Sequence, residues 1–154
     1  MLPSFFIRSR GASKLYNSLF VPLLEKYRLT QMEIDIILFL ANNPPFDTAR
    51  DIVEKRHLAK SHVSAGVESL ARRGLLERSR QGGNRKTIHL SLTEQAGPVV
   101  EEGRAVQARY GQLLLAGFSE QEREQLSCFL ERVGKNVDTA LTMAGNGAAL
   151  GQNE

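Results

Sequence analysis

AKSHVSAGVESLARRGLLERSRQGGNRKTIHLSLTE, residues 59–94, changes its apolar spacing once, near Gly74. Before that glycine, Val63, Val67 and Leu70 recur at the spacing of one helix face. Gly74 suits the position just after a helix, where a left-handed backbone is common. The segment therefore predicts a helix with an apolar inner face. The residues left facing outward are Lys60, Ser61, His62, Ser64, Ala65 and Glu68.

Two alternating runs, LLERS and KTIHLSL, follow this helix and flank a loop with the sequence GGNRK. In the second run, Ile88, Leu90 and Leu92 share one face of a strand, while His89 lies on the other face. Such runs around a glycine-containing loop predict an antiparallel β-hairpin. Alone, the loop would be an ordinary charged turn. Directly after a helix with an exposed polar face, the hairpin is interpreted as a wing.

The preceding sequence predicts helices of different lengths. Apolar residues recur at helical spacing from about Ser9 to Tyr27, and Pro22 within them predicts a kink or a break. TQME then predicts a capping box, in which Thr30 caps a short buried helix and Glu33 reaches back. Two prolines in NNPPFD end that helix.

A further short helix is predicted after Thr48, which resembles a cap because Asp51 follows three residues later. Downstream of the hairpin, Thr93 is predicted to cap a long helix, whose start Pro98 makes irregular. The sequence SEQE from Ser119 predicts another capping box. The last helix has an apolar stripe formed by Leu126, Phe129, Leu130, Val133 and Val137.

These elements predict a mainly α fold with a small antiparallel β-hairpin, arranged as a winged helix-turn-helix with long N- and C-terminal dimerisation helices. The winged helix-turn-helix, a DNA-binding domain, is expected at residues 30–93. Residues 1–29 and 94–144 are expected to form a helical dimerisation region, because their apolar surface exceeds what a small winged core can cover. Residues 145–154 are predicted to form a flexible tail.

The composition excludes several function classes. Among 154 residues with a net charge of +3, the segment 50–86 holds ten Lys/Arg and four Asp/Glu, a net charge of +6. Such a basic block suits a phosphate-binding surface. No stretch reaches the roughly 20 apolar residues of a membrane span, so we expect a cytoplasmic protein with no membrane partner. With one cysteine and no metal-ligand spacing, neither a metal site nor a cofactor is predicted.

The exposed polar residues of the helix are short or forked groups that can reach base edges in the major groove of DNA. The wing is expected to place Arg85 in a minor groove, with Arg80 and Lys86 on phosphates. The predicted DNA-binding residues are Thr48, Lys60, Ser61, His62, Ser64, Ala65, Arg80, Asn84, Arg85 and Lys86.

The order SHVSAGVESLARRGLLER, basic wing, IHLSLTEQAG resembles the multiple-antibiotic-resistance regulator (MarR) family of bacterial transcription factors. The resemblance extends over about residues 15–137 and includes RLTQMEIDIILFLA. It implies a homodimer that binds a pseudo-palindromic operator in double-stranded DNA, commonly as a repressor, and that releases DNA when a small-molecule effector binds. An effector pocket with Tyr16, Phe20 and Tyr110 in its lining is implied by the resemblance, although those residues also suit a core or a dimer interface.

Two positions depart from the family's pattern. Asn84 stands where the family usually has an aspartate beside the wing arginine, so it cannot form an ion pair with Arg85. Ala59 stands where a polar cap of the recognition helix is expected, which makes the start of that helix uncertain. Neither departure removes the DNA-binding interpretation.

Three alternatives stay open. The winged helix could serve only protein contacts, although the basic block argues against this. Cys128 could sense oxidants, although a lone cysteine beside Phe129 and Leu130 is more often a small buried hydrophobic residue. An enzyme would need a nucleophile held near a base, and nothing in the sequence marks such a site, so we expect no catalysis.

Overall fold

The computed structural model describes the backbone of residues 2–80 and 87–150, and the side chains of residues 9–80 and 87–144. The elements are α1 (Leu2–Tyr27), α2 (Gln31–Asn42), α3 (Ala49–Arg56), α4 (Lys60–Arg72), β1 (Leu76–Ser79), β2 (His89–Leu92), α5 (Gly97–Leu114) and α6 (Glu120–Leu150), with a 3₁₀ turn at Glu94–Ala96. The predicted order of four helices, a hairpin and two helices is confirmed, and so is the mainly α winged fold.

The chain divides into two compact units, Met1–Leu114 and Leu115–Glu154. The first unit holds α1 to α5 with the hairpin, and the second holds α6. This division concerns backbone compactness, so the functional division into residues 30–93 and the flanking dimerisation regions stays a prediction. None of the described helices is long and apolar enough to cross a membrane.

The core of the first unit is built around α2. This helix contacts α1, α4, α5 and β2, so nearly every residue from Glu33 to Phe39 is buried. Complete burial of one Ile or Leu side chain contributes about 1.5–3 kcal/mol to folding. The fully buried large side chains are Phe20, Ile34, Ile36, Ile37, Ile52, Val63, Leu70, Leu76 and Val99.

Helix α1 differs from its prediction at two places. It begins at Leu2 rather than near Ser9, and it continues through Pro22 without a break. Both Pro22 and Ser18, four residues earlier, are exposed. The carbonyl that loses its hydrogen bond to the proline can therefore bind water, which reduces the cost of the proline in the helix.

Thr93 does not cap α5, so that prediction is wrong. Its hydroxyl instead donates to the carbonyl of Gly74 at 2.6 Å, and a 3₁₀ turn separates Thr93 from α5. The irregular start expected from Pro98 is present, since α5 begins only at Gly97. The proline lies in the first turn of α5, where its missing N–H is not needed.

The other predicted caps are confirmed at the start of α2, α3 and α6. Thr30 with Glu33, and Thr48 with Asp51, form reciprocal capping boxes. At α6, the Glu122 carboxylate accepts a hydrogen bond from the Ser119 N–H at 2.7 Å. The predicted flexible tail is helical at residues 145–150, because α6 continues to Leu150. Residues 151–154 lie outside the described chain.

Candidate nucleic-acid interface

Helices α3 and α4 are joined by a tight turn. The N-terminus of α3 is fixed by Thr48, whose hydroxyl accepts from the Asp51 N–H at 3.1 Å, and Ile52 anchors the helix in the core. The helix ends at His57, which adopts a left-handed backbone with φ of 51°. Ala59 then begins α4 without a side-chain cap, so the departure noted at this position does not prevent the helix from starting at Lys60.

The inner face of α4 packs closely against α2. Val63, Val67 and Leu70 are buried as predicted. Gly66 is buried with them, and a Cβ atom there would lie only 2.6 Å from the Ile36 Cδ1 atom. A helix that is packed this closely against its neighbour is held in one orientation. The outer face of α4 therefore has a defined direction.

The outer face of α4 carries the side chains singled out from the sequence. All six are exposed: Lys60, Ser61, His62, Ser64, Ala65 and Glu68. Their exposure agrees with the expected geometry. Their contacts with DNA stay a prediction, as does the phosphate contact assigned to Thr48.

A buried carboxylate fixes the C-terminal half of α4. Glu33 accepts hydrogen bonds from the Ser69 hydroxyl at 2.6 Å and from the Thr30 N–H at 2.7 Å, and the Arg73 guanidinium lies 3.8 Å away. Burial by itself raises the pKa of Glu33, but the hydrogen bonds from Ser69 and Thr30, together with the charge of Arg73, outweigh it and lower that pKa. The sequence predicts Glu33 only as the capping partner of Thr30 and does not indicate its contacts with Ser69 and Arg73.

Arg73 closes the ends of two helices. It is the C-cap residue of α4, and its guanidinium also donates to the carbonyls of Tyr27 at 2.6 Å and Arg28 at 2.9 Å, where α1 ends. Gly74 follows with φ of 70°, as predicted for the residue after a helix. The Leu75 N–H then bonds to the carbonyl of Leu70 at 3.1 Å, which completes a Schellman turn.

The hairpin root has the predicted alternation. Leu76 pairs with Leu92, and Ser79 pairs with His89. Leu90 is buried, Leu92 is half-buried, and Ile88 just before β2 is 41% exposed. The inward face is thus confirmed for the two leucines and is only partial for Ile88, which borders an open groove beside α4.

A contact at the other edge of β2 was not foreseen from the sequence. Thr48 forms an antiparallel bridge with His89, and the Leu90 N–H donates to the Asp47 carbonyl at 2.7 Å. The His89 Nδ1 atom lies 2.9 Å from the Asp47 Oδ1 atom. The segment before α3 therefore extends the hairpin, although it is too short to give an alternating pattern.

The wing tip lies outside the described residues. It includes Asn84, Arg85 and Lys86, whose predicted roles therefore have no structural description. Arg80, at the edge of the described part, is exposed.

Several cations of the basic block have acidic neighbours. Arg50 lies 2.6 Å from Glu54, although both side chains are largely exposed, so this pair contributes little to stability. Arg56 lies 3.9 Å from Asp35, whose pKa is raised by burial and lowered to a smaller extent by Gln31 and Arg56. Glu54 is already included in the net count of +6, whereas Asp35 lies outside the block, so only the second pair reduces the charge that the block presents.

Residues 29–86 match the MarR family model. The HTH-type transcriptional regulator PecS of Dickeya dadantii is 25% identical over 117 residues, which cover 75% of this chain and 70% of PecS. The structure of the transcriptional regulator SlyA shares 21% identity with a TM-score of 0.77, and covers 90% of this chain and 98% of that chain. A MarR-family regulator from Listeria monocytogenes in complex with 26mer DNA shares 18% identity with a TM-score of 0.78, over 96% of this chain and 95% of that chain.

Residues 29–86 carry the MarR-family pattern, and the chain as a whole has the winged-helix fold of the solved regulators that it resembles. The family model begins just after α1, includes α2, α3, α4 and β1, and ends at residue 86, before β2. The likeness to the two solved structures extends the same fold over most of the chain. The predicted family and fold are thus confirmed.

The aromatic residues considered for an effector pocket pack against one another in this MarR-family fold. The rings of Tyr16 and Phe20 are 4.7 Å apart, and Tyr16 meets Tyr110 edge-on at 5.1 Å. Phe20 is completely buried, and the Tyr16 hydroxyl accepts from Gln107 at 3.3 Å. Phe20 is therefore a core residue, and the pocket stays a prediction.

Cys128 is exposed on α6, so its expected burial is wrong for the single chain. The physical reason is that the neighbouring apolar side chains of the α6 stripe, Phe129, Leu130, Val133 and Val137, are exposed with it, while Leu126 is half-buried. Among the described side chains, no group of three His, Cys, Asp or Glu residues could hold a metal ion.

Proposed function

We propose that this chain is a dimeric, sequence-specific regulator of transcription that binds double-stranded DNA. The observation that carries the proposal is α4, where an inner face packed without space for a Cβ atom supports an outer face of exposed polar groups. A recognition helix needs both properties, because base edges are distinguished only when the side chains that reach them have fixed positions.

Each predicted residue has a role in this proposal. Ser61, Ser64 and His62 contact base edges, Lys60 contacts guanine or a phosphate, and Ala65 contacts a thymine methyl group. Thr48 at the N-terminus of α3 and Arg80 at the wing bind phosphates. At the wing tip, Asn84 orients Arg85 in the minor groove and Lys86 contacts a phosphate.

The apolar stripe of α6 supports the dimer. Six large apolar side chains there are between 47% and 69% exposed: Phe129, Leu130, Val133, Val137, Leu141 and Met143. A contiguous apolar face of this kind marks an interaction surface. A two-fold symmetric dimer through residues 1–29 and 94–144 would cover it and would fit a pseudo-palindromic operator.

Repression, control by a small-molecule effector and a cytoplasmic location complete the proposal. PecS is a transcriptional regulator, and the Listeria monocytogenes structure contains DNA, which makes the same activity the natural expectation here. A regulator of this class needs neither a cofactor nor catalysis. Its location in the cytoplasm follows from access to bacterial DNA.

The test is a titration of the purified chain with its operator, first identified by capture of bound genomic fragments. The logarithm of the binding constant should fall linearly with the logarithm of salt concentration, with a slope of about −0.9 for each phosphate contacted. Absence of binding to any duplex at low salt would exclude DNA binding and favour a protein-interaction module.

The base contacts proposed for the outer face of α4 are tested with two variants in the same titration. Ser64→Ala and His62→Ala should each lose about 1–3 kcal/mol at one operator position and change the preferred base there. Ser91→Ala, which alters an exposed serine of β2, is the matched control and should leave sequence preference unchanged. If His62→Ala weakens all sequences equally, His62 contacts a phosphate instead.

A further inference from the structure

Asp47, which lies just before α3, is hydrogen-bonded to the root of the wing. Its carboxylate oxygens lie 2.9 Å and 3.0 Å from the Nδ1 atom of His89, and its carbonyl accepts the Leu90 N–H at 2.7 Å. An ionised carboxylate can only accept, so Nδ1 is the protonated nitrogen and donates. Asp47 thus holds β2 through both its side chain and its backbone.

Asp47 is itself held by α3. The next residue, Thr48, donates from its N–H to the Asp51 carboxylate at 3.0 Å and from its hydroxyl at 2.6 Å. Because α3 is anchored in the core, the position of Asp47 is fixed relative to α4. A continuous series of hydrogen bonds therefore connects the helix pair to the wing.

A groove separates part of the hairpin from α4. A groove of about 250 Å³ lies between α4 and the hairpin, and its lining includes Ser64, Glu68, Arg78 and Ile88. Two strands of four residues form a hairpin that is marginally stable by itself. Its direction must therefore be set by contacts outside the hairpin, which include those of β1 with α4 and those of Asp47 with β2.

We propose that Asp47 and His89 form a positioning pair that sets the direction of the wing relative to α4. The pair acts before DNA binds, so it determines the direction of the two strands of the wing when α4 enters the major groove. Its effect on DNA recognition rests on the proposed function. Its effect on the wing of the free protein does not.

The experiment compares the full chain with three variants. His89→Ala removes the donor, His89→Asn retains an N–H donor near the position of Nδ1, and Ser91→Ala is the control on the same strand. Residue-resolved amide hydrogen exchange is measured without DNA. Affinity is then measured at one salt concentration for operators with A·T-rich and with G·C-rich flanks, because minor-groove contacts of the wing favour narrow A·T-rich grooves.

In the free protein, His89→Ala should speed exchange of the Leu90 amide by about twofold to tenfold, the range expected for loss of one hydrogen bond. Exchange in α5 should not change. The affinity ratio between A·T-rich and G·C-rich flanks should fall by a similar factor of about two to ten. His89→Asn should restore both quantities at least in part, and Ser91→Ala should change neither.

Unchanged exchange of the Leu90 amide in His89→Ala would overturn the inference. Faster exchange with an unchanged flank ratio would also overturn it, because the pair would then stabilise the hairpin without directing the wing. If exchange responds as expected but the wild-type chain binds no duplex, the proposed function fails while the positioning pair in the free protein is supported.

Discussion

Gly66 is a point of close approach between α4 and α2, and Gly66→Ala tests how tightly the two helices are packed. The added Cβ atom would lie 2.6 Å from the Ile36 Cδ1 atom and 3.2 Å from the Met32 Cγ atom. Favourable carbon–carbon contacts need about 3.5–4.0 Å. Because Ile36 is completely buried, moving its Cδ1 atom would also displace neighbouring core side chains.

Two opposing terms determine the size of the effect. Replacing glycine by alanine inside a helix favours folding by about 1 kcal/mol. Overpacking a core by one methyl group costs about 1–3 kcal/mol. With close contacts on two sides, the cost should be at the upper end of that range, so we expect a net loss of about 1–2 kcal/mol. This loss corresponds to a fall in Tm of about 2–8 °C.

The assay is thermal unfolding by circular dichroism at one protein concentration, since a dimer's Tm depends on concentration. Gly111→Ala in α5 is the matched control, because a Cβ atom there meets nothing within 4 Å. It should raise the Tm. Ile36→Val removes the Cδ1 atom that the added methyl group would contact. It should therefore lower the Tm less in the Gly66→Ala background than in the wild type. Equal Tm values for Gly66→Ala and Gly111→Ala would refute the close packing.

Three further changes test other contacts. The lowered pKa of Glu33 means that its carboxylate stabilises the fold above its ordinary pKa of 4.5, and this contribution is lost as pH falls through the lowered value. Glu33→Gln should therefore be less stable than the wild type at neutral pH but lose less stability on acidification, as measured by urea unfolding at several pH values. Thr93→Val should lower the free energy of unfolding by about 1 kcal/mol because it removes the hydrogen bond to Gly74, whereas Thr93→Ser should retain that bond. The midpoints of denaturant unfolding of the two variants are the measurement. Val133→Asp should convert the proposed dimer to monomer in analytical ultracentrifugation, and a persisting dimer would show that the α6 stripe is not the interface.

The sequence was most informative where a single element determines its own pattern. The apolar spacing of Val63, Val67 and Leu70 is a local property of a helix, and the structure confirms their burial. The capping boxes at Thr30 and Thr48 are also local, because each joins residues three positions apart. Such features follow from backbone geometry alone.

Contacts between distant segments could not be predicted in the same way. The Thr93 hydroxyl has a local use as a cap and a distant use at Gly74, and only the folded chain selects the second. The bridge between Thr48 and His89 joins residues 41 positions apart, with no periodicity to indicate it. At Cys128, the expected burial assumed that apolar neighbours are covered within one chain, whereas the stripe of α6 is exposed.

The position of Arg73 determines which fragment containing the winged helix-turn-helix, residues 30–93, can fold by itself. Its guanidinium satisfies carbonyls at Tyr27 and Arg28, which precede a fragment that starts at residue 30. Such a fragment would also omit Leu29, which is buried in the shared core. A fragment that folds independently around the winged helix-turn-helix therefore has to include the last turn of α1. In cooperative terms, the end of α1 and the end of α4 should open together, since one residue ends α4 with its backbone and binds the end of α1 with its guanidinium.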